Sequence, residues 1–231
     1  MKNVAVLLAG GSGKRMGHKL PKQFLTIGEK PIIQHTIEAF EYHKLIDEIC
    51  IIINADYIAD VEKLVQEKQF AKVRFVLSGG KERSDSSLAA INAYEDERNV
   101  NLIFHDAVRP FVSERIITDV VNEVKSGKSV AVAIPTTDTI FKIKEDNSIE
   151  SVPARTSLRR AQTPQAFFYS TIKKAYDLAQ KDSNFVATDD CGVVLKYLPE
   201  ESIFIVEGEE ANIKITFEGD LLQGEQILKM Q

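Results

Sequence analysis

The sequence predicts an α/β fold: a mostly parallel sheet flanked by helices, in a single domain that spans residues 1–231. Short apolar runs alternate with segments of helical periodicity along the chain. The runs are rich in Val, Ile, Leu and Phe, as are strands that are covered on both faces. A glycine-rich turn directly follows the first run. Alternation of this kind favours parallel strands joined by crossover helices.

Six apolar runs are predicted as strands, in chain order Val4–Leu8, Glu48–Ile53, Val73–Leu77, Asn101–Phe104, Ser129–Ile134 and Ser202–Val206. Four segments between them carry apolar residues at helical spacing, which predicts helices over residues 32–40, 58–65, 88–94 and 116–124. Ser84-Asp85 and Ser113-Glu114 are predicted to begin the third and fourth helices, because these side chains can cap free backbone N–H groups.

One segment lacks a helix. Over residues 136–152 apolar and polar side chains alternate on both sides of the turn Glu145–Ser148, which predicts a β-hairpin arm inserted into the α/β body. A two-stranded hairpin alone is marginally stable in water, so its apolar residues need a surface to cover. We therefore expect the arm to make a homodimer.

Composition argues against several classes of protein. The net charge of −5 disfavours nucleic-acid binding, and no run approaches the roughly 18 apolar residues of a membrane span. Residues 1–10 do not resemble a signal peptide. Two isolated cysteines, Cys50 and Cys191, suit a reducing compartment, so we expect a cytoplasmic protein.

The glycine-rich turn lies in "LLAGGSGKRMG", residues 7–17. Because glycine has no side chain, several backbone N–H groups can approach and bind one anion. The turn therefore predicts a phosphate-binding loop. It is not a P-loop, because Lys14 is followed by Arg15 rather than by Ser or Thr. It is not a dinucleotide fingerprint either, because Met16 stands where the third glycine belongs, and this argues against a dinucleotide-dependent oxidoreductase.

Ligands of parallel α/β sheets bind outside the carboxyl ends of the strands. This rule places four segments on one rim of the sheet: the glycine-rich turn, Ser78-Gly79-Gly80, His105-Asp106 and Pro135–Asp138. Arg15 and Lys22, beside the glycine-rich turn, are candidates to neutralise a triphosphate; the alternative is that they are ordinary surface cations.

Three more segments carry candidate residues. In "FHDAVRP", Asp106 could hold Mg²⁺ and Arg109 a phosphate, or the two could form a structural ion pair. In "GGKERSDSS", the side chains of Ser84, Asp85 and Ser86 could bind a base or ribose, or cap a helix. In "ARTSLRRAQTPQAF", Arg155 and Thr163 could bind a phosphorylated acceptor, or the segment could be a solvated basic turn.

Lys214, in "NIKIT", has apolar neighbours on both sides, which is typical of a site cation or of a lysine with a specific partner. The four histidines show no metal-ligand spacing, and no Ser-His-Asp or Cys-His set assembles. The candidates instead suit positioning and neutralising of phosphates, which is how direct phosphoryl or nucleotidyl transfer is catalysed.

Together these residues resemble the cytidylyltransferases that act on polyol phosphates, a family that includes 2-C-methyl-D-erythritol 4-phosphate cytidylyltransferase and ribitol-5-phosphate cytidylyltransferase. The resemblance runs from Val4 to about Leu221 and rests on the blocks "LAGGSGKRMG", "PKQF", "GGKERSDSS", "HDAVRPFV", "DTI", "AQTPQAF", "TDD" and "NIKIT". It implies a Rossmann-like sheet of the nucleotide-diphospho-sugar transferase type.

The resemblance also implies roles for individual residues. CTP would be bound by Leu8, Ala9, Gly10, Gly11, Gly13, Gly79, Gly80 and Ser86, and Mg²⁺ would bridge its phosphates near Asp106. The catalytic cations would be Arg15, Lys22 and Lys214, and the acceptor would be held by Asp106, Arg109, Thr139, Arg155 and Thr163. Thr139 and Arg155 would serve the partner subunit, because the hairpin arm of this family reaches across a two-fold axis.

The expected reaction is attack of the acceptor phosphate on CTP, which forms a CDP-polyol and pyrophosphate. "LAGG" with "HDAVRPFV" resembles the ribitol type, so D-ribitol 5-phosphate, used for wall or capsule polymers, is the expected acceptor. The alternative is 2-C-methyl-D-erythritol 4-phosphate, from isoprenoid synthesis. A CTP-sensing domain without catalysis and a hexose-1-phosphate nucleotidyltransferase are further alternatives.

Overall fold

The structure, a computed structural model, describes residues 1–11 and 20–230. Its central sheet has seven strands in the order β11-β7-β10-β6-β1-β4-β5. Strand β10 is antiparallel to both of its neighbours, and the other pairings in this sheet are parallel. The strands are β1 Lys2–Ala9, β2 Thr26–Ile27, β3 Lys30–Pro31, β4 Glu48–Ile53, β5 Val73–Ser78, β6 Val100–Asp106, β7 Ser129–Pro135, β8 Lys142–Ile143, β9 Ile149–Ser151, β10 Arg159–Phe168 and β11 Ile203–Glu207.

Helices cover both faces of the sheet. They are α1 Ile32–Glu41, α2 Ile58–Lys68, α3 Arg83–Ala93, α4 Glu114–Lys125, α5 Tyr169–Ala179, α6 Asp190–Tyr197 and α7 Glu218–Met230. Apolar side chains of α1, α2 and α4 form the core on one face, and those of α3, α5 and α6 form it on the other. Within β1, Leu7 belongs to the first core and Val6 to the second, since successive side chains of a strand point to opposite faces. The sheet is therefore buried on both sides, as the apolar runs predicted.

The predicted elements are confirmed, with one corrected helix start. All six predicted strands are present, and the observed strands begin or end within two residues of the predicted bounds. Ser113 caps α4 as predicted, because its hydroxyl accepts from the N–H of Ile116. The prediction for Ser84-Asp85 was wrong, because α3 already begins at Arg83. Glu82 is the cap residue there, and its N–H donates to the Asp85 carboxylate at 2.9 Å.

Strand β10 was missed, and part of the segment left open as a basic turn is this strand. Its first three residues, Arg159, Arg160 and Ala161, are exposed and have no large apolar side chain. Its register with β7 shifts between Ala161 and Gln165, around Pro164. A shift of this kind breaks the period-two pattern that identifies a strand. Only its pairing with β6 and β7 makes the segment a strand.

The hairpin arm is present as predicted. β8 and β9 pair in antiparallel fashion, and Asn147 adopts a φ of 65° in the turn between them. The large apolar side chains of the arm are 42–56% exposed; they are Ile140, Phe141, Ile143, Ile149 and Val152. Dimerisation through this arm stays a prediction.

Within the described residues, no helix is both long and apolar enough to cross a membrane.

Candidate functional site

A cavity of about 270 Å³ lies at the edge of the sheet where β1 and β6 end, and we call it the glycine-side cavity. The carboxyl ends of parallel strands meet at one edge, so residues far apart in sequence line it. Its lining residues are Leu8, Ala9, Gly10, Gly11, Lys22, Gln23, Gly80, Lys81, Glu82, Arg83, Ser86, Asp106, Val108 and Lys214. Nine of these were candidates from the sequence, and the structure brings them together.

The turn after β5 requires glycine because it packs against the first turn of α3. A Cβ atom at Gly80 would lie 2.3 Å from the Cβ of Asp85, and one at Gly79 would lie 2.6 Å from the Ser86 hydroxyl oxygen. Both distances are too short for any side chain. Gly79 does not line the cavity, and its N–H donates to the Ile53 carbonyl at 2.7 Å. The turn thus brings the N-terminus of α3, where backbone N–H groups favour anions, to the cavity.

The segment that follows the glycine-rich turn is anchored back onto β1. Gln23 is 1% exposed, and its side-chain amide donates to the Ala9 carbonyl at 2.7 Å. This bond fixes the single 3-10 turn Lys22–Phe24, so that the Lys22 ammonium lies in the cavity and donates to the Ile215 carbonyl at 3.1 Å. Gln23 was not identified from the sequence, although it lies in the quoted block "PKQF".

Asp106 lies among three cations. Its carboxylate is 2.9 Å from the Lys214 ammonium, 3.5 Å from the Arg109 guanidinium and 3.8 Å from that of Arg83. Burial alone would raise the pKa of Asp106, but these charges outweigh it and lower the pKa to about 2. The carboxylate is therefore ionised at neutral pH, and the cluster keeps an excess of positive charge for an anionic ligand.

A buried histidine, His105, stabilises the turn that contains Asp106 through hydrogen bonds. Thr163 accepts from the Asp106 N–H at 3.1 Å and lies 3.0 Å from Nδ1 of His105, whose Nε2 is 3.0 Å from the Arg109 carbonyl. Burial lowers the pKa of His105 to about 4, which the hydrogen bond to Arg109 only partly opposes. The ring is neutral at pH 7, with Nε2–H donating to Arg109 and Nδ1 accepting from Thr163. Thr163, predicted to bind the acceptor, uses its hydroxyl in this turn.

A second cavity of about 260 Å³ adjoins the first, and we call it the β10-side cavity. The two share Lys214. The other lining residues of the second cavity are Arg109, Ile134, Arg160, Ala161, Gln162, Glu210, Asn212, Ile213, Asp220 and Gln223. Arg160 pairs with the Glu210 carboxylate at 2.5 Å, and Arg109 donates to the Asn212 carbonyl at 2.8 Å. Of these residues only Arg109 was a candidate from the sequence, because the others depend on the unrecognised strand β10 and on the loop before α7.

The remaining candidates lie elsewhere. Arg15 and Gly13 are outside the described residues. Thr139 and Arg155 are exposed at the arm and line neither cavity, and Arg155 donates to the Thr137 carbonyl at 3.0 Å. Their predicted part in a partner subunit's site stays a prediction. Arg83 was missed, although an arginine three positions after Gly80 and at a helix start is a detectable signal for anion binding.

Comparison with known proteins gives a consistent result. The model of a family described as "IspD: 2-C-methyl-D-erythritol 4-phosphate cytidylyltransferase" matches residues 3–230. A protein of that name from Thermobifida fusca (strain YX) is 44% identical over 230 residues, which are 97% of this chain and 92% of that protein. A bifunctional ribulose 5-phosphate reductase/CDP-ribitol pyrophosphorylase of Haemophilus influenzae is also 44% identical, over 99% of this chain and 48% of that protein. The chain thus spans about half the length of this second relative.

Solved structures agree with the fold. The crystal structure of a 4-diphosphocytidyl-2C-methyl-D-erythritol synthase from Anaerococcus prevotii DSM 20548 superposes with a TM-score of 0.86 at 30% identity, covering 99% of this chain and 96% of that one. A 2-C-methyl-D-erythritol 4-phosphate cytidylyltransferase from Thermus thermophilus superposes with a TM-score of 0.76 at 25% identity, covering 99% of this chain and 100% of that one.

Proposed function

Since the chain belongs to the 2-C-methyl-D-erythritol 4-phosphate cytidylyltransferase family and is a cytidylyltransferase of polyol phosphates, we propose that its acceptor is D-ribitol 5-phosphate, which it converts with CTP to CDP-ribitol and pyrophosphate. The observation that carries this proposal is the mostly polar lining of the β10-side cavity, which adjoins the glycine-side cavity and shares Lys214 with it. A transferase that joins two phosphorylated substrates needs two binding sites that meet at the transferred phosphorus.

The glycine-side cavity suits CTP. Gly10 and Gly11 follow β1 and let a phosphate approach the backbone, and the N-terminus of α3 adds N–H groups with a favourable helix dipole. Lys22 and Lys214 bring positive charge to the same space, where it would stabilise the pentacoordinate α-phosphorus and the departing pyrophosphate. Ser86, on the first turn of α3, would contact the nucleoside.

The β10-side cavity suits the acceptor. Arg109 and Lys214, which both line it, would supply charge for the acceptor phosphate, which would attack CTP in line. The rest of the lining is mostly polar, and the apolar members are Ile134, Ala161 and Ile213. Ribitol 5-phosphate, with free hydroxyls on four carbons, would find more hydrogen-bond partners here than 2-C-methyl-D-erythritol 4-phosphate, which has free hydroxyls on three carbons and a methyl branch. This contrast supports ribitol phosphate.

A second candidate acceptor is 2-C-methyl-D-erythritol 4-phosphate. The name of the matching family and that of the Thermobifida fusca relative both favour it. The Haemophilus influenzae relative, at the same identity, favours ribitol phosphate. The two acceptors share the phosphate end, so the mechanism above is the same for both.

Mg²⁺ is part of the proposal. The described residues contain no group of three or more His, Cys, Asp or Glu side chains that could hold a metal ion. Asp106 is a single carboxylate, which fits a magnesium ion that takes most of its ligands from phosphate oxygens and water. The bound ion would neutralise charge on the triphosphate, while the residues of the chain position both substrates.

The homodimer is also part of the proposal. The exposed apolar residues of the hairpin arm would be covered by a second copy, and Thr139 in the arm and Arg155 just after it would then reach the partner's acceptor. This arrangement would bring further phosphate contacts to the acceptor site.

A side-by-side assay tests the acceptor. Pyrophosphate release is measured with CTP and Mg²⁺ and either D-ribitol 5-phosphate or 2-C-methyl-D-erythritol 4-phosphate. A hydroxyl-binding group left unpaired costs about 1–3 kcal/mol, so we expect at least about a tenfold higher kcat/KM for ribitol phosphate. A tenfold preference for methylerythritol phosphate would overturn the assignment of the acceptor, and no pyrophosphate with either would overturn the assigned reaction.

A further inference from the structure

Behind the glycine-side cavity lies a fully buried carboxylate that no part of the proposed reaction uses. Asp190, the first residue of α6, has no exposed surface. Its Oδ1 accepts from the Tyr176 hydroxyl at 2.7 Å, and its Oδ2 lies 2.7 Å from Nη1 of Arg83. Burial, with the Asp190 charge next, raises the pKa of Tyr176, so that this hydroxyl keeps its proton and remains a donor. An ionised group is costly to bury without such partners.

Arg83 stands between two carboxylates. Nη1 contacts Asp190, whereas Nε faces Oδ1 of Asp106 at the longer distance of 3.8 Å. Asp106 in turn makes its closest ion pair, 2.9 Å, with Lys214 through Oδ2. Arginine forms its strongest pairs with a carboxylate through two parallel N–H groups. Without Asp190, the nearest carboxylate to Arg83 would be that of Asp106. A bidentate ion pair between Arg83 and Asp106 would then compete with Lys214 for the Asp106 carboxylate.

We propose that Asp190, held by Tyr176, is a positioning residue that keeps Arg83 from capturing Asp106 and thereby leaves Asp106 to hold Lys214 at the junction of the two cavities. The inference rests on the proposed function only for the consequence on catalysis. Independently of catalysis, the proposal states that the charge of Asp190 determines whether Lys214 keeps its ion pair with Asp106. Asp190 and Tyr176 touch neither cavity, so they act through Arg83 alone.

The decisive variants are Asp190→Asn and the double variant Asp190→Asn with Arg83→Gln. The first removes a charge at constant shape and frees Arg83, so we expect kcat to fall by about tenfold or more while the dissociation constant of CTP changes by less than about threefold. The second also removes the competing guanidinium. Asp106 can then return to Lys214, and kcat should rise several-fold above that of Asp190→Asn, although Arg83 itself lines the glycine-side cavity.

A readout that does not depend on activity accompanies the kinetics. The rate at which Lys214 is acetylated by a small amine-reactive reagent is followed by peptide mass spectrometry. Asp190→Asn should raise this rate by about threefold, because an unpaired lysine is the better nucleophile, and the double variant should bring it back. Thermal melts verify folding. If Asp190→Asn fails to fold, Tyr176→Phe takes its place. This variant removes the hydrogen bond to Asp190 and should shift both readouts in the same direction, but by a smaller factor.

Asp182 offers a matched control away from both cavities. Its carboxylate also binds a tyrosine hydroxyl and a cation, Tyr197 at 2.7 Å and Lys196 at 3.0 Å. Asp182→Asn should leave kcat and Lys214 labelling unchanged.

Three results would overturn the inference: unchanged Lys214 labelling in folded Asp190→Asn, unchanged kcat in that variant, or a double variant as slow as the single one. If the wild-type enzyme releases no pyrophosphate with either polyol phosphate, the proposed function fails. The labelling of Lys214 still decides the role of Asp190.

Discussion

Replacing Asp106 by Asn tests the charge balance of the site. The variant keeps the shape of the side chain and leaves the three neighbouring cations without their carboxylate. The pKa of Asp106 falls from an ordinary 3.8 to about 2 in the folded protein. Each pKa unit corresponds to about 1.4 kcal/mol, so ionised Asp106 stabilises the folded state by about 2 kcal/mol. This contribution is present above the pKa of the unfolded chain and is lost as the pH falls through about 2.

The expected effects concern both stability and ligand binding. Asp106→Asn should lower Tm at pH 7 by about 5 °C, since 1 kcal/mol shifts a domain of this size by roughly 2–4 °C. If Asp106 is a ligand of Mg²⁺, the variant should need a higher Mg²⁺ concentration for half-maximal activity and bind CTP more weakly when Mg²⁺ is present. Without Mg²⁺, it should bind the anionic nucleotide at least as tightly as the wild type does, because a negative charge has been removed.

The assays are differential scanning fluorimetry and calorimetric titration of CTP with and without Mg²⁺. Asp119→Asn is the control, because Asp119 forms an exposed ion pair with Arg115 that is worth at most about 0.5 kcal/mol. An unchanged Mg²⁺ titration would assign Asp106 a purely structural role. An unchanged Tm would refute the reasoning that its three cations outweigh its burial.

Three further predictions follow from the fold and the site. Lys22→Ala and Arg15→Ala should each lower kcat by about 10²-fold or more with little change in Tm; near-normal pyrophosphate release by either variant would remove that residue from the mechanism. A Gly-Ser loop in place of residues 136–152 should give a monomer with little activity by light scattering and kinetic assay, and a fully active monomer would contradict the role of the arm. Because burial lowers the pKa of His105 from 6.5 to about 4, its neutral form stabilises the fold above pH 6.5, and about 3 kcal/mol should be lost as the pH falls from 6.5 to 4. Urea denaturation across that range checks this, and a wild-type profile no steeper than that of His105→Gln would refute it.

The sequence was informative wherever local pattern and burial agree. β1 and β4 are apolar runs because both faces of the sheet are covered, so their composition alone identifies them. The rule that ligands bind at the carboxyl ends of parallel strands then grouped Gly10, Gly11, Gly80 and Asp106, which do line one cavity.

Sequence reasoning failed where a residue acts through distant partners. β10 is antiparallel, and its register shift removes the alternation that marks a strand, so Arg160 and Gln162 were not placed at a cavity. The sequence also did not predict that the Thr163 hydroxyl accepts from the Asp106 N–H and contacts His105. The contact of Thr163 with the acceptor stays a prediction.

The sequence by itself determined the α/β class, the hairpin arm and the edge of the sheet at which the candidate site lies, because periodicity and strand polarity are properties of the local chain. Tertiary structure decided the partners of each charge. Arg83 and Asp190 are 107 positions apart in the numbering, and only the packing of α3 against α5, and of α5 against α6, makes them an ion pair at 2.7 Å. Such a pair is specified by three-dimensional distance and burial, which no pattern of neighbouring residues encodes.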